Sequence, residues 1–100
     1  MITLTHIDDI LDEQTNRLVL QPQDEVLSFT LTNLGDVDFT LGDNVTLVTG
    51  DVKTIGGSTL IPFVLSKPCK WGTQSGIKKV LIEKVCRVII KDPITNKTAL

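Results

Sequence analysis

The stretch FTLTNLGDVDF, residues 29–39, decides how this chain is read. Leu27, Phe29 and Leu31 fall on one side of an extended segment, with Ser28, Thr30 and Thr32 on the other. A period of two with one polar face is what a strand covering a core on one side requires. Val37, Phe39 and Leu41 resume the alternation. Between the two runs, Asn33-Leu34-Gly35 suits a three-residue hairpin loop, a type I turn followed by a left-handed glycine. The expectation is a hairpin with its apolar side chains facing inward.

Outward from this stretch the chain reads as more short strands. On the N-terminal side, ITLTH alternates, with Ile2 and Leu4 placed to face a core. IDDILDEQTN follows as a helical turn or an acidic loop, and RLVLQPQDEV as a short strand with a corner at Pro22. On the C-terminal side Gly42-Asp43-Asn44 marks a turn and VTLVT a strand. GDVKTIGGST reads as a long connection, TLIPFVL as a buried strand with Pro62 at an edge or bulge, and SKPCKWGTQSG as a loop. IKKVLIEKVCRVII fits either a helical stripe or a strand. Its many β-branched residues, in an otherwise all-β setting, favour strand. DPITNKTAL is a polar tail, 92–100.

One hundred residues with 41% apolar and 22% charged side chains make one globular domain, residues 1–100. No apolar run approaches the roughly 20 residues needed to cross a bilayer, and MITLTHIDDILDE lacks the basic start and apolar block of a secretory signal. The expected setting is therefore one without export. About seven short strands separated by turns indicate an all-β antiparallel sandwich or small barrel.

Charge is unevenly spread. Residues 1–52 carry ten acids against Arg17 alone, and residues 53–100 carry nine bases against Glu83 and Asp92. Either strands of the two halves interleave and the charges mingle, or the surface is dipolar and meets a neighbour of opposite sign. The candidate contact residues are Lys67, Lys70, Trp71, Lys78 and Lys79 on the basic side. On the acidic side they are Asp8, Asp9, Asp12 and Glu13. Trp71 is either a lid on the core or an exposed anchor.

Reactive constellations are thin. His6 is the single histidine, so any Ser–His–Asp or Cys–His arrangement depends on it, and no serine sits in a glycine elbow. Cys69 and Cys86 lack metal-ligand spacing. A calcium loop begun at Asp36 fails, with Leu41 in its glycine place and Leu47 in its glutamate place. No glycine-rich phosphate loop precedes a helix. Trp71 among lysines offers one stacking platform, too little for nucleic acid in a chain of pI about 5.2. The expectation is a non-enzymatic protein with no cofactor, no metal, no nucleic acid and no membrane partner.

The run LVLQPQDEVLSFTLTNLGDVDFTL resembles a segment of bacterial and phage immunoglobulin-like domains. In these a proline corner precedes a strand ending aromatic–x–aliphatic–x–Asn, followed by a glycine turn. The matching positions are Pro22, Phe29, Leu31, Asn33 and Gly35, and IGGSTLIPF is similar to a later glycine corner of such folds. The likeness spans residues 18–65. Gln23 stands where a glycine often follows the proline, tyrosine is absent, and no Cys–Trp–Cys arrangement exists. The resemblance implies an immunoglobulin-like β-sandwich. It also implies a phage virion component, a capsid auxiliary (decoration) or tail accessory protein assembled in the host cytoplasm. Its partners would be major capsid or tail proteins, or further copies of itself. The alternative is a carbohydrate- or cell-surface-binding module of a larger secreted protein, a role that calls for several aromatic platforms.

Overall fold

Phe29 and Phe39, at the two ends of the quoted stretch, are both fully buried, yet they lie in different sheets. The computed structural model describes residues 3–56 and 61–88 and the backbone of 90–91 and 98–99. Its first four strands are β1 (Leu4–Asp12), β2 (Arg17–Leu20), β3 (Val26–Asn33) and β4 (Phe39–Leu41). The next four are β5 (Val45–Leu47), β6 (Val52–Gly56), β7 (Leu65–Trp71) and β8 (Lys79–Arg87). They form two antiparallel four-stranded sheets, ordered β1-β8-β3-β6 and β2-β7-β4-β5. Two further short strands, β9 (Ile90–Lys91) and β10 (Thr98–Ala99), pair with each other as a separate ribbon. The rest of the expected tail, 92–97 and 100, lies outside the described residues.

The pairing is nested. β4 pairs with β5, β3 with β6, β2 with β7 and β1 with β8. The chain is thus one long hairpin about the Gly42–Asn44 turn, folded over so that β8 also meets β3 and β7 also meets β4. This order is that of a jelly roll, two Greek keys in eight strands. The antiparallel sandwich expected from the sequence stands; immunoglobulin sandwiches share its layered architecture under other strand orders. The core gathers Leu18, Leu20, Phe39, Leu41, Leu47 and Cys69 from one sheet. Leu11, Val26, Phe29, Leu31, Val80, Ile82 and Cys86 come from the other.

Residues 34–38 do not form a hairpin loop; they carry the chain from one sheet to the other. The cause is Asn33, a polar residue that is 1% exposed. Its Nδ2 donates to the Val37 and Leu47 carbonyls, each at 2.9 Å, and its Oδ1 accepts from Gly35 N–H at 3.0 Å. These bonds hold the crossover in the shape of a turn without pairing β3 to β4. Gly35 is not left-handed either. Among the described residues the glycines with positive φ are Gly42, Gly50, Gly56 and Gly76, whereas Gly35 is required because a Cβ there would overlap the Ile77 carbonyl oxygen.

Four other expectations are corrected. IDDILDEQTN begins as the continuation of β1, with neither a helical turn nor a loop before Asp12, and Leu4 is half exposed where it was expected to face a core. The connection GDVKTIGGST contains β6. Residues 61–64 of TLIPFVL are irregular, with Ile61 and Val64 on the surface; Thr59 and Leu60 lie outside the described residues, as does Ile2. Phe63 anchors the segment, donating its N–H to Val26 O and packing edge-on against Phe29. Finally, SKPCKWGTQSG opens as strand β7 in spite of Pro68. The Pro68 carbonyl accepts from Gly42 N–H, so its missing N–H points the same way, to where β4 turns off at Gly42 and no rung is needed. Residues 79–87 are one strand and not a helix, with Val80, Ile82 and Cys86 turned into the core.

Replacing Asn33 by Leu removes the buried bonds to the Val37 and Leu47 carbonyls and takes the side-chain acceptor from the buried Gly35 N–H. The expected loss is about 3 kcal/mol in a urea melt. Gly35→Ala should cost about 2 kcal/mol through overpacking. Gly50→Ala, whose added Cβ meets open space, should cost only the roughly 1 kcal/mol of a left-handed alanine.

Candidate functional site

The basic candidates divide between the two sheets. Lys67, Lys70 and Trp71 lie on β7, while Lys78 precedes β8 and Lys79 is its first residue. Lys70 points outward opposite Thr40, and its Nζ lies 3.9 Å from Asp43, both side chains being well exposed. Such a pair is worth about 0–1 kcal/mol. The Lys67 stem runs beside Gly42, along a small 110 Å³ recess. Trp71 is half-buried, and its ring meets Phe39 at 5.0 Å and 60°. It is therefore a lid on the core. Its Nε1 is buried and has no hydrogen-bond partner among the described residues.

The acidic candidates stay together. Asp8, Asp9 and Asp12 lie along β1 and Glu13 follows it, all exposed. Register also sets the two groups side by side at one point, because Asp12 is the cross-strand partner of Lys79. Asp8 stands opposite Glu83, a pair of like charges on the outer face. His6 is on the same exposed strand opposite Val85. Among the described residues no group of three or more His, Cys, Asp or Glu side chains is placed to hold a metal ion.

Two features of the surface were not anticipated. The first is the loop end of the sandwich. There the β3–β4, β5–β6 and β7–β8 connections present Leu34, Val48 and Ile77, exposed by 51%, 48% and 63%. The loops are tied to one another. Asn33 N–H donates to Asp51 O, Gly50 N–H to Asn33 O, and Leu34 N–H to Lys79 O. Asp36 N–H donates to Ile77 O, and the Asp36 carboxylate accepts from Ile77 N–H at 3.0 Å. The only signal in the sequence is an apolar residue out of phase in each turn, in NLGD, LVTGD and SGIKK.

The second is a 440 Å³ recess at the opposite end, between β1, the 3-10 turn Pro22–Asp24 and the end of β8. Arg87 closes it, donating through Nε and Nη2 to Glu25 Oε2 at 3.2 and 2.9 Å. Glu25 is left-handed at φ 55, the end of the 3-10 turn, and its carbonyl also accepts from Arg87 N–H. Cys86 lines the recess. Burial pushes its thiol above the ordinary 9.0, with Lys84 pulling it down and Asp24 adding to the rise. Burial raises Cys69 likewise, against Arg17. Both thiols are free.

Comparison with known proteins gives no match to a family model, a curated sequence or a solved structure.

Arg87→Met should cost about 2 kcal/mol, since it strands a half-buried carboxylate that has lost its charged partner. The thiols give a pH prediction. Their folded-state pKa is raised, so their stabilising contribution is complete below 9.0, the ordinary value, and is lost as pH climbs through the folded value. Urea midpoints should therefore fall on the alkaline side, and a Cys69→Ala/Cys86→Ala protein should show a smaller fall. Iodoacetamide at neutral pH should label both cysteines only after unfolding.

Proposed function

We propose that this chain is a non-enzymatic structural protein, a phage virion component that docks on a capsid shell or tail, or on neighbouring copies. The observation that carries the reading is the loop end. Three large apolar side chains from three separate connections stand exposed on loops held by hydrogen bonds to each other. Apolar side chains gathered on a surface are a usual mark of a protein contact. A braced set loses little conformational freedom on docking, so more of its burial appears as affinity. The jelly-roll strand order supports the same reading by analogy of fold, since that architecture recurs in viral capsid domains. Many copies on a repeating shell would add avidity to weak single contacts.

The sugar-binding alternative has less support. The four aromatic residues of the chain are all engaged with the core, Phe29 against Phe63 and Phe39 against Trp71. None stands free as a platform.

Mass spectrometry of purified particles from the source phage should find the chain at many copies per particle. A Leu34→Asp/Ile77→Asp variant should keep its melting profile but lose at least about tenfold in particle occupancy, as expected for removal of central apolar contacts. Particles free of the chain, or full occupancy by the variant, would refute the role assigned to this surface.

A further inference from the structure

β1 is the longest free edge of either sheet. Among the described residues it pairs on one side only, with β8, and every residue in it except Leu11 is exposed. Antiparallel register fixes which backbone groups are open. Val88 N–H donates to Thr3 O, so odd residues exchange bonds with β8, and Leu4, His6, Asp8 and Ile10 turn their N–H and C=O groups outward. Ile10 agrees with that phase, because its N–H is taken by the Asp9 carboxylate at 2.8 Å. Natural edges are blunted by lysine, proline or a bulge. β1 has no lysine or proline and its register with β8 is unbroken. Its shield is acidic only, and Leu4, Ile7 and Ile10 remain exposed by 50%, 49% and 40%.

The charge selects the occupant. A second β1 laid against the first would set acid against acid. The other free edges of this chain carry one base each at most, Lys53 on β6 and Arg17 on β2, with none on β5. We propose that β1 accepts an extended basic segment of a protein partner, which adds as a fifth strand to the β1-β8-β3-β6 sheet along Leu4–Ile10. The backbone supplies the rungs, Asp8 takes a lysine or arginine side chain of the partner, and Leu4 and Ile7 receive its apolar ones on the two faces. The Asp9 carboxylate shields the Ile10 N–H until a strand replaces it. The proposal rests on the docking role given above and names the chemistry of a partner for it.

The probe is a nine-residue peptide alternating lysine with valine, titrated into the full chain at low salt. Saturable binding is expected, with amide exchange at Leu4, His6 and Asp8 slowed at least about tenfold. N-methylation of alternate peptide amides should abolish binding. His6→Pro removes a donor from the open side alone, spares the β8 ladder, and should also abolish it. Asp8→Asn should weaken binding about tenfold. Equal binding of the methylated peptide, protection away from β1, or no saturable binding would overturn the proposal. Full particle occupancy by His6→Pro would remove strand addition while leaving the docking role intact. Absence of the wild-type chain from particles would remove that role while peptide binding stands.

Discussion

The nested pairing of strands about the Gly42–Asn44 turn is the constraint on which the rest of this protein depends. Gly42 sits at φ 62, a conformation open to glycine at little cost, and there β4 reverses into β5. Each later pair is wrapped around the earlier one, ending with Leu4 opposite Arg87. Such a ribbon has polar edges and one apolar face, and it can bury that face only by folding over on itself. The contacts of β8 with β3 and β7 with β4 are the result. They bring Phe29 and Phe39 into one core though β3 and β4 never pair with each other.

The same constraint explains the charge distribution. When the first strand pairs with the last and the second with the next to last, every pair except the innermost, β4 with β5, joins the two halves of the chain. An acidic first half and a basic second half then become cross-strand neighbours. Asp12 meets Lys79, Glu25 meets Arg87, and Asp43 lies near Lys70. Of the two accounts open at the level of sequence, interleaving is the one observed. What remains unmatched is local. Asp8 and Asp9 have no basic cross-strand partner, since Asp8 faces Glu83 and Asp9 faces Ile82. The acidity of β1 is therefore a property of the free edge and not of half the molecule.

Local periodicity made much of this legible. The inward faces of β3 and β4, the Gly42 turn, the strand over 79–87 and the sandwich class all follow from alternation and turn chemistry. Misreadings came where a tertiary partner overrode a local signal. Asn33-Leu34-Gly35 has the chemistry of a hairpin loop, but three buried hydrogen bonds to Asn33 and the Ile77 carbonyl beside Gly35 convert it to a crossover. Pro68 argues against a strand until the end of the β4 ladder is seen beside it. Ile7 and Ile10 suggest a helical turn because they follow no period of two, and they follow none because β1 is exposed on both faces. The acidic candidates were visible as a cluster. Leu34, Val48 and Ile77 were not, since no sequence pattern links three separate turns.

The two exposed apolar surfaces differ in what holds them, and that difference bears on how each could be used. At the loop end backbone groups of the three connections bond to one another around Asn33, and the exposed apolar side chains offer the contact. Along β1 the backbone itself is open, and the apolar side chains alternate between two faces instead of gathering on one. A flat shell can bury the first kind of surface without any strand of its own. The second demands a partner segment that is extended and carries its own unpaired amides. A protein with both can hold a surface by one end and a chain by one edge at once, because β1 meets the loop end only at Asp12, beside Lys79, and leaves Leu4–Ile10 clear of it.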